Sequence, residues 1–434
     1  MKKVLFISHY FPPVGGAGVQ RSTKFVKHLP ASGWQPIVLT GEGKAGGRWT
    51  PEDRSLLGDI PPEAIVARVP APPQGKLGTQ QRFESYVRLG AELISQHRPD
   101  LILVTLSPFG DAAISATLAA EFNLPWVADL RDPWALDEFQ IYRTRWHRTS
   151  ERRRMVRQLR TASAIIMNTP EAAKKVRADL AGLENIPVTS ITNGFAQEDF
   201  PVDNRRTGTN DRFTIVHSGS FHVEPGLAQR KRALEYRLLG RTEPGVKFLP
   251  RSHFYLLRAI EQFLTDVPSA AADLEVLCLG VATPADLGLT QKSPAGSAFR
   301  MTGYLPHSES VEYVRTADLL FLPMHKMPKG ARASIVPGKT YEYLASRRPI
   351  LGAVPEGDCR DFLRRCGTAE ICDPDNVGAM KAIIIKRYEE WKQRKPLPES
   401  DGSFVAKFER QNLTRQLASV LDQAVAHAAH SRAS

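Results

Sequence analysis

The sequence predicts an α/β protein built from two doubly wound, Rossmann-like domains. Three observations carry that expectation. Short apolar runs alternate with longer amphipathic ones through the first half of the chain, the alternation breaks in a polar stretch at 202–212, and it then restarts. Such alternation builds a parallel sheet with helices on both faces. With 434 residues, 42% of them hydrophobic, the chain is long enough to bury two such cores.

Taken in order, "KVLFIS" reads as a strand and is followed by a helix from about Val19 to Leu29. Next come strands at "QPIVLT" and "AIVARV", a helix from about Arg82 to Gln96, the strand "DLILVT", and a helix from about Asp111 to Phe122. "PWVADL", "SAIIMNT" and "PVTSITNG" extend the same sheet. After the linker "VDNRRTGTNDR", a second set opens with "FTIVHSGS" and continues through "DLEVLCLG", "AFRMTGY", a helix from Ser308 to Thr316, and "ADLLFLPM". A helix in "PGKTYEYLAS" and the strands "PILGAV" and "AEICD" complete it. Between "VHSGSFH" and a helix starting near His253 lie about twice the residues a strand-to-helix connection uses, which predicts an insertion over 223–250 with a helix of its own. The expected domains are 1–203, 204–400, and a closing helix, 401–434, that packs back on the first domain.

Charged residues at 24% and aromatics at 8% exclude a disordered or fibrous chain. The start "MKKVLFISHYFPP" lacks the apolar core of a secretory signal, and no window approaches the roughly 20 apolar residues of a membrane span. The expectation is a cytoplasmic protein. Cys278, Cys359, Cys366 and Cys372 form no CxxC pair and read as reduced core residues. The net charge of +12 is uneven, since 141–160 holds eight arginines against one glutamate. A run of this kind fits a solvated face, an anionic membrane surface or nucleic acid.

Ligands of parallel sheets bind beyond the strands' carboxyl ends, and three loops there carry chemistry. In "SHYFPPVGGAGVQRS", Gly15, Gly16 and Gly18 permit close backbone approach to an anion at a helix start. Arg21 stands where the dinucleotide fingerprint GxGxxG has its third glycine. With Glu42 as a possible ribose contact, a dinucleotide-dependent oxidoreductase using the 15–18 loop stays open as the alternative. "WVADLRDPW" ends a buried strand in Asp129, Arg131 and Asp132, placed for sugar hydroxyls or proton transfer, or simply as an ion pair beside a turn. In "SIVPGKTYEYLASRRPILGA", Lys339 and Glu342 share one helical face, and Tyr341, Leu344 and Ala345 the other. Lys339 at a helix amino terminus suits a diphosphate, and Glu342 can accept two hydrogen bonds from a ribose diol. The competing reading is a surface Lys/Glu pair. "DPD" at 373–375 reads as a turn rather than a metal site.

The ordered set "HYFPPVGGAGVQRS", "VADLRDPW", "ITNGFAQEDF", "VHSGSF", "TGYLPHSESVEYVRTADLLFLPM" and "PGKTYEYLASRRPILGA" resembles bacterial retaining glycosyltransferases of the GT-B fold, family four. The likeness runs from Met1 to about Asp373, and "FERQNLTRQLASVLDQAV" is similar to that family's closing helix. The resemblance implies a metal-independent, cofactor-free transferase of cell-surface polysaccharide or lipopolysaccharide synthesis. A UDP- or GDP-linked sugar would bind mainly to the second domain and a glycan or lipid-linked acceptor mainly to the first. By motif match, Glu342 would hold the ribose, Gly303 and Tyr304 would lie beside the base, and Gly15 and Gly16 would close over the donor. Gly219 in "VHSGSF" and Ser334, Ile335 and Val336 ahead of the helix would complete the donor contacts. Lys339 and Arg251 would stabilise the leaving diphosphate, with Lys247 as a second candidate, and Asp132 would orient the acceptor. Residues 143–160 would dock on the inner membrane face, and no nucleic acid is expected. The family pattern has a glutamate eight residues before the ribose-binding one, and this chain has Ser334 there.

Overall fold

A computed structural model describes residues 1–42, 52–71, 75–201 and 211–433. The strands are β1 (Lys2–Ser8), β2 (Trp34–Gly41), β3 (Ile65–Val69), β4 (Leu101–Leu106), β5 (Trp126–Leu130), β6 (Ala164–Met167), β7 (Val188–Ser190), β8 (Phe213–Ser218), β9 (Leu274–Leu279), β10 (Phe299–Gly303), β11 (Leu319–Pro323), β12 (Ile350–Ala353) and β13 (Ala369–Cys372). Among the helices are α1 (Ala17–His28), α2 (Lys76–His97), α3 (Asp111–Phe122), α4 (Arg145–Leu159), α5 (Pro170–Asp179), α6 (Val223–Lys231), α7 (Ala233–Leu239), α8 (Phe254–Asp266), α9 (Pro284–Gln291), α10 (His307–Thr316), α11 (Lys339–Ser346), α12 (Asp358–Cys366), α13 (Val377–Lys392), α14 (Gly402–Val405) and α15 (Arg410–Ala433).

The strands form two parallel sheets, ordered β3-β2-β1-β4-β5-β6-β7 and β10-β9-β8-β11-β12-β13. Each order reverses direction once, between β1 and β4 and between β8 and β11, and those reversals are the crevices where doubly wound sheets bind ligands. Alternation along the strands divides the first sheet's core by face. Leu5 and Ile7 of β1 pack with Tyr86, Leu93, Ile114 and Leu118 of α2 and α3. Val4 and Phe6 pack on the other face with Phe25 and Val26 of α1 and with Leu413, Leu417 and Leu421 of α15. The second core joins β8, β9 and β11 to Leu256, Ile260 and Phe263 of α8 and to Met380 and Ile384 of α13. None of the described helices is long and apolar enough to cross a membrane.

The chain divides into two compact units, Met1–Asp137 with Arg148–Gly194 and Phe408–Ser434, and Glu138–His147 with Phe195–Lys407. The expected boundary at 203/204 lies outside the described residues, as does most of the 202–212 linker. Residues 401–407 remain with the second unit rather than with the closing helix. The segment 138–147, expected in the first domain, belongs to the second. Its bonds explain the transfer: Glu138 holds Ser334, and the Tyr142 N–H donates to the Arg241 carbonyl at 2.7 Å. The 223–250 insertion holds two helices, α6 and α7, rather than one.

Candidate active site

The crevice between β8 and β11 holds His217 and Lys339. Main-chain pairing between these strands covers Leu319 with Ile215 and Leu320 with Val216. One residue further on, His217 Nδ1 lies 3.0 Å from the Phe321 carbonyl oxygen. A carbonyl only accepts, so Nδ1 carries the proton. Burial first, and the neighbouring Lys339 second, hold the imidazole well below its usual range, so the ring is neutral. Its Nε2 is then free to accept from the Lys339 ammonium 3.1 Å away. The sequence reading missed His217, although its place one residue before a strand's carboxyl end was a visible signal.

Lys339 opens α11, and that helix is pinned to the sheet by its own residues. The Ser218 N–H donates to the Tyr343 hydroxyl at 2.8 Å, while Tyr341, Tyr343 and Leu344 are fully buried. The predicted division of faces therefore holds, with Glu342 partly exposed one turn from Lys339. Gly219 follows β8 with φ +96°, and a Cβ there would come 2.9 Å from Lys339 Nζ. A side chain at 219 would thus be strained and would displace the ammonium. Burial, and then the positive charge of Arg251, lower the Lys339 pKa to about 7. Two cations held near one another in this way favour an anion, whose charge would restore the lysine proton. Arg251 is positioned by its guanidinium lying 4.8 Å from the ring centre of Phe139.

Ser334, where the family pattern has a glutamate, sits against a different carboxylate. Its N–H donates to Glu138 Oε1 at 2.8 Å and its hydroxyl to Oε2 at 2.5 Å, across 196 positions of sequence. His325 Nε2 lies 3.4 Å from Oε1, and all three residues are at most 1% exposed. Glu138 and Phe139, from one short segment, thus set the loop that enters α11 and the arginine beside it. Sequence reasoning missed both, because no periodicity links residue 138 to residue 334. Replacing Glu138 by glutamine puts an amide donor where two donors need acceptors, and loosens the 334–338 loop. We expect the KM of a substrate bound at this crevice to rise roughly 10- to 100-fold, since one lost charged hydrogen bond is worth about 1.5–3 kcal/mol. Unchanged steady-state kinetics would show that the loop does not depend on Glu138.

Gly303 has φ +78°, and its carbonyl accepts from the Gly280 N–H at 2.8 Å, while Gly219 donates to Leu279 at 2.6 Å. The ends of β8, β9 and β10 are therefore joined through glycines, and Tyr304 projects from them at 42% exposure. Val336 is buried and Ile335 partly so. Lys247 lines a separate cavity of about 610 Å³ within the insertion, together with Tyr236, Val246 and Tyr255. Asp373 pairs with Arg360 and Asp375 with Lys326, which gives the DPD turn a structural role.

In the first unit, Asp132 is exposed and lies 3.8 Å from Arg131. Gly15 and Gly16 lead into α1, and Gly18 lies against Arg131. A Cβ there would fall on the Arg131 guanidinium. Arg21, at the position of the absent third glycine, is fully buried and holds Asp129 through two hydrogen bonds of 3.0 and 2.6 Å. It also donates to the carbonyls of Thr192 and Ile191, and Thr105 donates to Asp129. Glu42 accepts from the Ala71 N–H at 3.0 Å. The loop is organised by arginines inside the fold, and a dinucleotide fingerprint explains none of these contacts. Asp111, buried at the start of α3 and paired with Arg82, is pushed up to about 6 by burial.

Residues 15–194 match a family model described as a glycosyl transferase 4-like domain. No curated protein sequence matches the chain. Among solved structures, sucrose-phosphate synthase from Thermosynechococcus elongatus aligns with a TM-score of 0.68 at 14% identity, covering 98% of this chain and 100% of that one. Anabaena HepE in complex with UDP and glucose aligns with a TM-score of 0.64 at 16% identity, covering 98% and 100%. The N-terminal domain of a Candida albicans trehalose-6-phosphate phosphatase also aligns, with a TM-score of 0.60 at 12% identity and 97% of each chain covered. At such identities these neighbours speak for the fold, two Rossmann-like domains of GT-B type. The domain match speaks for the enzyme class, and the likeness to family-four glycosyltransferases read from the ordered motifs holds.

Proposed function

For a glycosyltransferase whose second unit concentrates cations at a sheet crevice, we propose a metal-independent, retaining transfer from a nucleotide-sugar. The observation that carries it is Lys339, at the start of α11, held between His217 and Gly219 beside Arg251. Breaking the bond between sugar and phosphate leaves negative charge on the diphosphate. Fixed cations aimed at that charge lower the barrier without a metal. Glu342, one turn on, would accept from the ribose hydroxyls, and the loop of Gly303 and Tyr304 would border the base. Retention follows from same-face attack assisted by the leaving phosphate, so no side-chain nucleophile is needed. HepE in complex with UDP and glucose, and with UDP-glucose, supports a nucleotide-sugar donor here.

The acceptor in this reading is a glycan or a lipid-linked glycan of the cell surface, met on the cytoplasmic membrane face. The excess of arginine at 143–160 supports that setting, since such segments collect at anionic lipid. Asp132 would orient the acceptor. A panel of UDP-, GDP- and dTDP-sugars tests the donor: calorimetry should find at least one ligand, and Glu342→Ala should weaken it roughly 100-fold or more, the loss of two hydrogen bonds to a charged group at about 1.5–3 kcal/mol each. Failure of every donor to bind or hydrolyse, or an unaltered affinity in the variant, would remove the reading.

A further inference from the structure

The insertion after β8 exposes an apolar surface that the donor site does not use. In α7, Tyr236 points inward, while Leu234, Leu238 and Leu239 are 61%, 68% and 42% exposed. A second apolar group comes from far away in sequence: Trp146, at the start of α4, is 72% exposed. The two segments meet. The Tyr142 N–H donates to the Arg241 carbonyl, and a Cβ at Gly240 would lie 3.0 Å from that of Arg145. Single exposed leucines are ordinary, but several gathered on adjoining segments mark an interaction surface.

The charge around this surface is mostly positive. Residues 230–241 contain Arg230, Lys231, Arg232, Arg237 and Arg241 against the single Glu235, and 141–147 adds Arg143 and Arg145. Glu235 is itself engaged by Arg232 and Arg241, at 2.6 and 2.7 Å. Leucines on a short helix, an exposed tryptophan and an arginine border are the composition of a surface that lies in a lipid headgroup layer. Apolar side chains enter the acyl boundary there, tryptophan occupies the interface, and guanidinium groups meet phosphates. A nucleic acid would use the charge and leave the leucines without a role.

We propose that 141–147 and 230–241 together form a docking surface for an anionic bilayer, with Leu234, Leu238 and Trp146 inserting. The proposal rests on the membrane setting of the function above and changes its physics: apolar insertion by the second unit's own insertion, rather than charge along 143–160 alone, holds the protein on lipid.

Sedimentation with phosphatidylcholine vesicles, with and without phosphatidylglycerol, separates the two. The wild-type chain should pellet with the anionic vesicles and shift its tryptophan emission to the blue, and that shift should vanish in Trp146→Phe. The double variant Leu234→Ser/Leu238→Ser should lower the partition coefficient roughly tenfold or more, with melting temperature and nucleotide-sugar affinity unchanged. A triple variant Arg152→Ser/Arg153→Ser/Arg154→Ser should lower it less. Full binding by the leucine variant together with loss in the arginine variant would overturn the proposal in favour of charge-only docking. A vesicle-insensitive Trp146, or no wild-type binding to either vesicle, would overturn it as well, and the nucleotide-sugar titration would then show whether the transferase reading survives.

Discussion

Lys339→Met should lower kcat by about 10²- to 10³-fold, the usual cost of removing one preorganised group that faces charge developing in a transition state. The methionine fills similar space, so α11 should keep its seat through Tyr343 and Ser218. The pH dependence gives the sharper signature. Burial and Arg251 bring Lys339 down to about 7, so the cationic form that attracts a diphosphate is depleted as pH rises above that value. The wild-type kcat/KM should therefore fall from pH 7 toward pH 9, about tenfold per unit once well above the transition. The diphosphate of a nucleotide-sugar is fully ionised throughout this range and contributes no such slope. Lys339→Arg, permanently charged, should flatten the profile even if its absolute rate is lower. A wild-type profile flat across this window would mean that the ammonium plays no part in donor recognition.

Asp129→Ala should cost the first unit about 3–5 kcal/mol of stability, because it leaves the fully buried Arg21 guanidinium without its carboxylate. For a unit of this size that is a fall in melting temperature of roughly 6–20 °C. Nucleotide-sugar affinity at low temperature should be unchanged, since Asp129 and Arg21 belong to a network with Thr105, Ile191 and Thr192 that ties β4, β5 and α1 to the end of the first unit. Calorimetric melting and titration of the same sample check both halves. A variant that melts like the wild type but no longer binds donor would make Asp129 a ligand contact instead of a structural one.

The contrast between these two sites shows what could be read from the sequence. The parallel sheets were legible because strands buried on both faces appear as unbroken apolar runs, as in β1 and β4, where Val4 to Ile7 and Leu101 to Val104 are fully buried. The polar face of α11 was legible for a similar reason. Lys339 and Glu342 lie three apart on a helix whose Tyr341, Tyr343, Leu344 and Ala345 are core, so the polar face identifies itself. Arg21 and Asp129 were harder, since a charged residue after a glycine loop looks the same whether it meets a ligand or a buried partner 108 positions away. Only the fold decides between them.

Glu138 was beyond sequence reasoning altogether. Its role depends on the 138–147 segment joining the second unit, a choice made by bonds to Ser334 and Arg241 rather than by any local preference. Once that segment is seen there, the serine at 334 ceases to be a gap. A carboxylate is present beside the loop, supplied from elsewhere in the chain, although it holds the loop's main-chain and hydroxyl donors. The same segment brings Phe139 under Arg251 and Arg145 against Gly240 at the end of α7, so a single stretch joins the proposed diphosphate site to the surface inferred to meet lipid.

A crystal structure of the protein with the nucleoside diphosphate that binds best tests the central claim most directly. The account predicts the diphosphate within hydrogen-bonding distance of Lys339 Nζ, with both ribose hydroxyls on Glu342. A diphosphate bound elsewhere, with Lys339 still donating only to His217 and Glu342 in solvent, would contradict it.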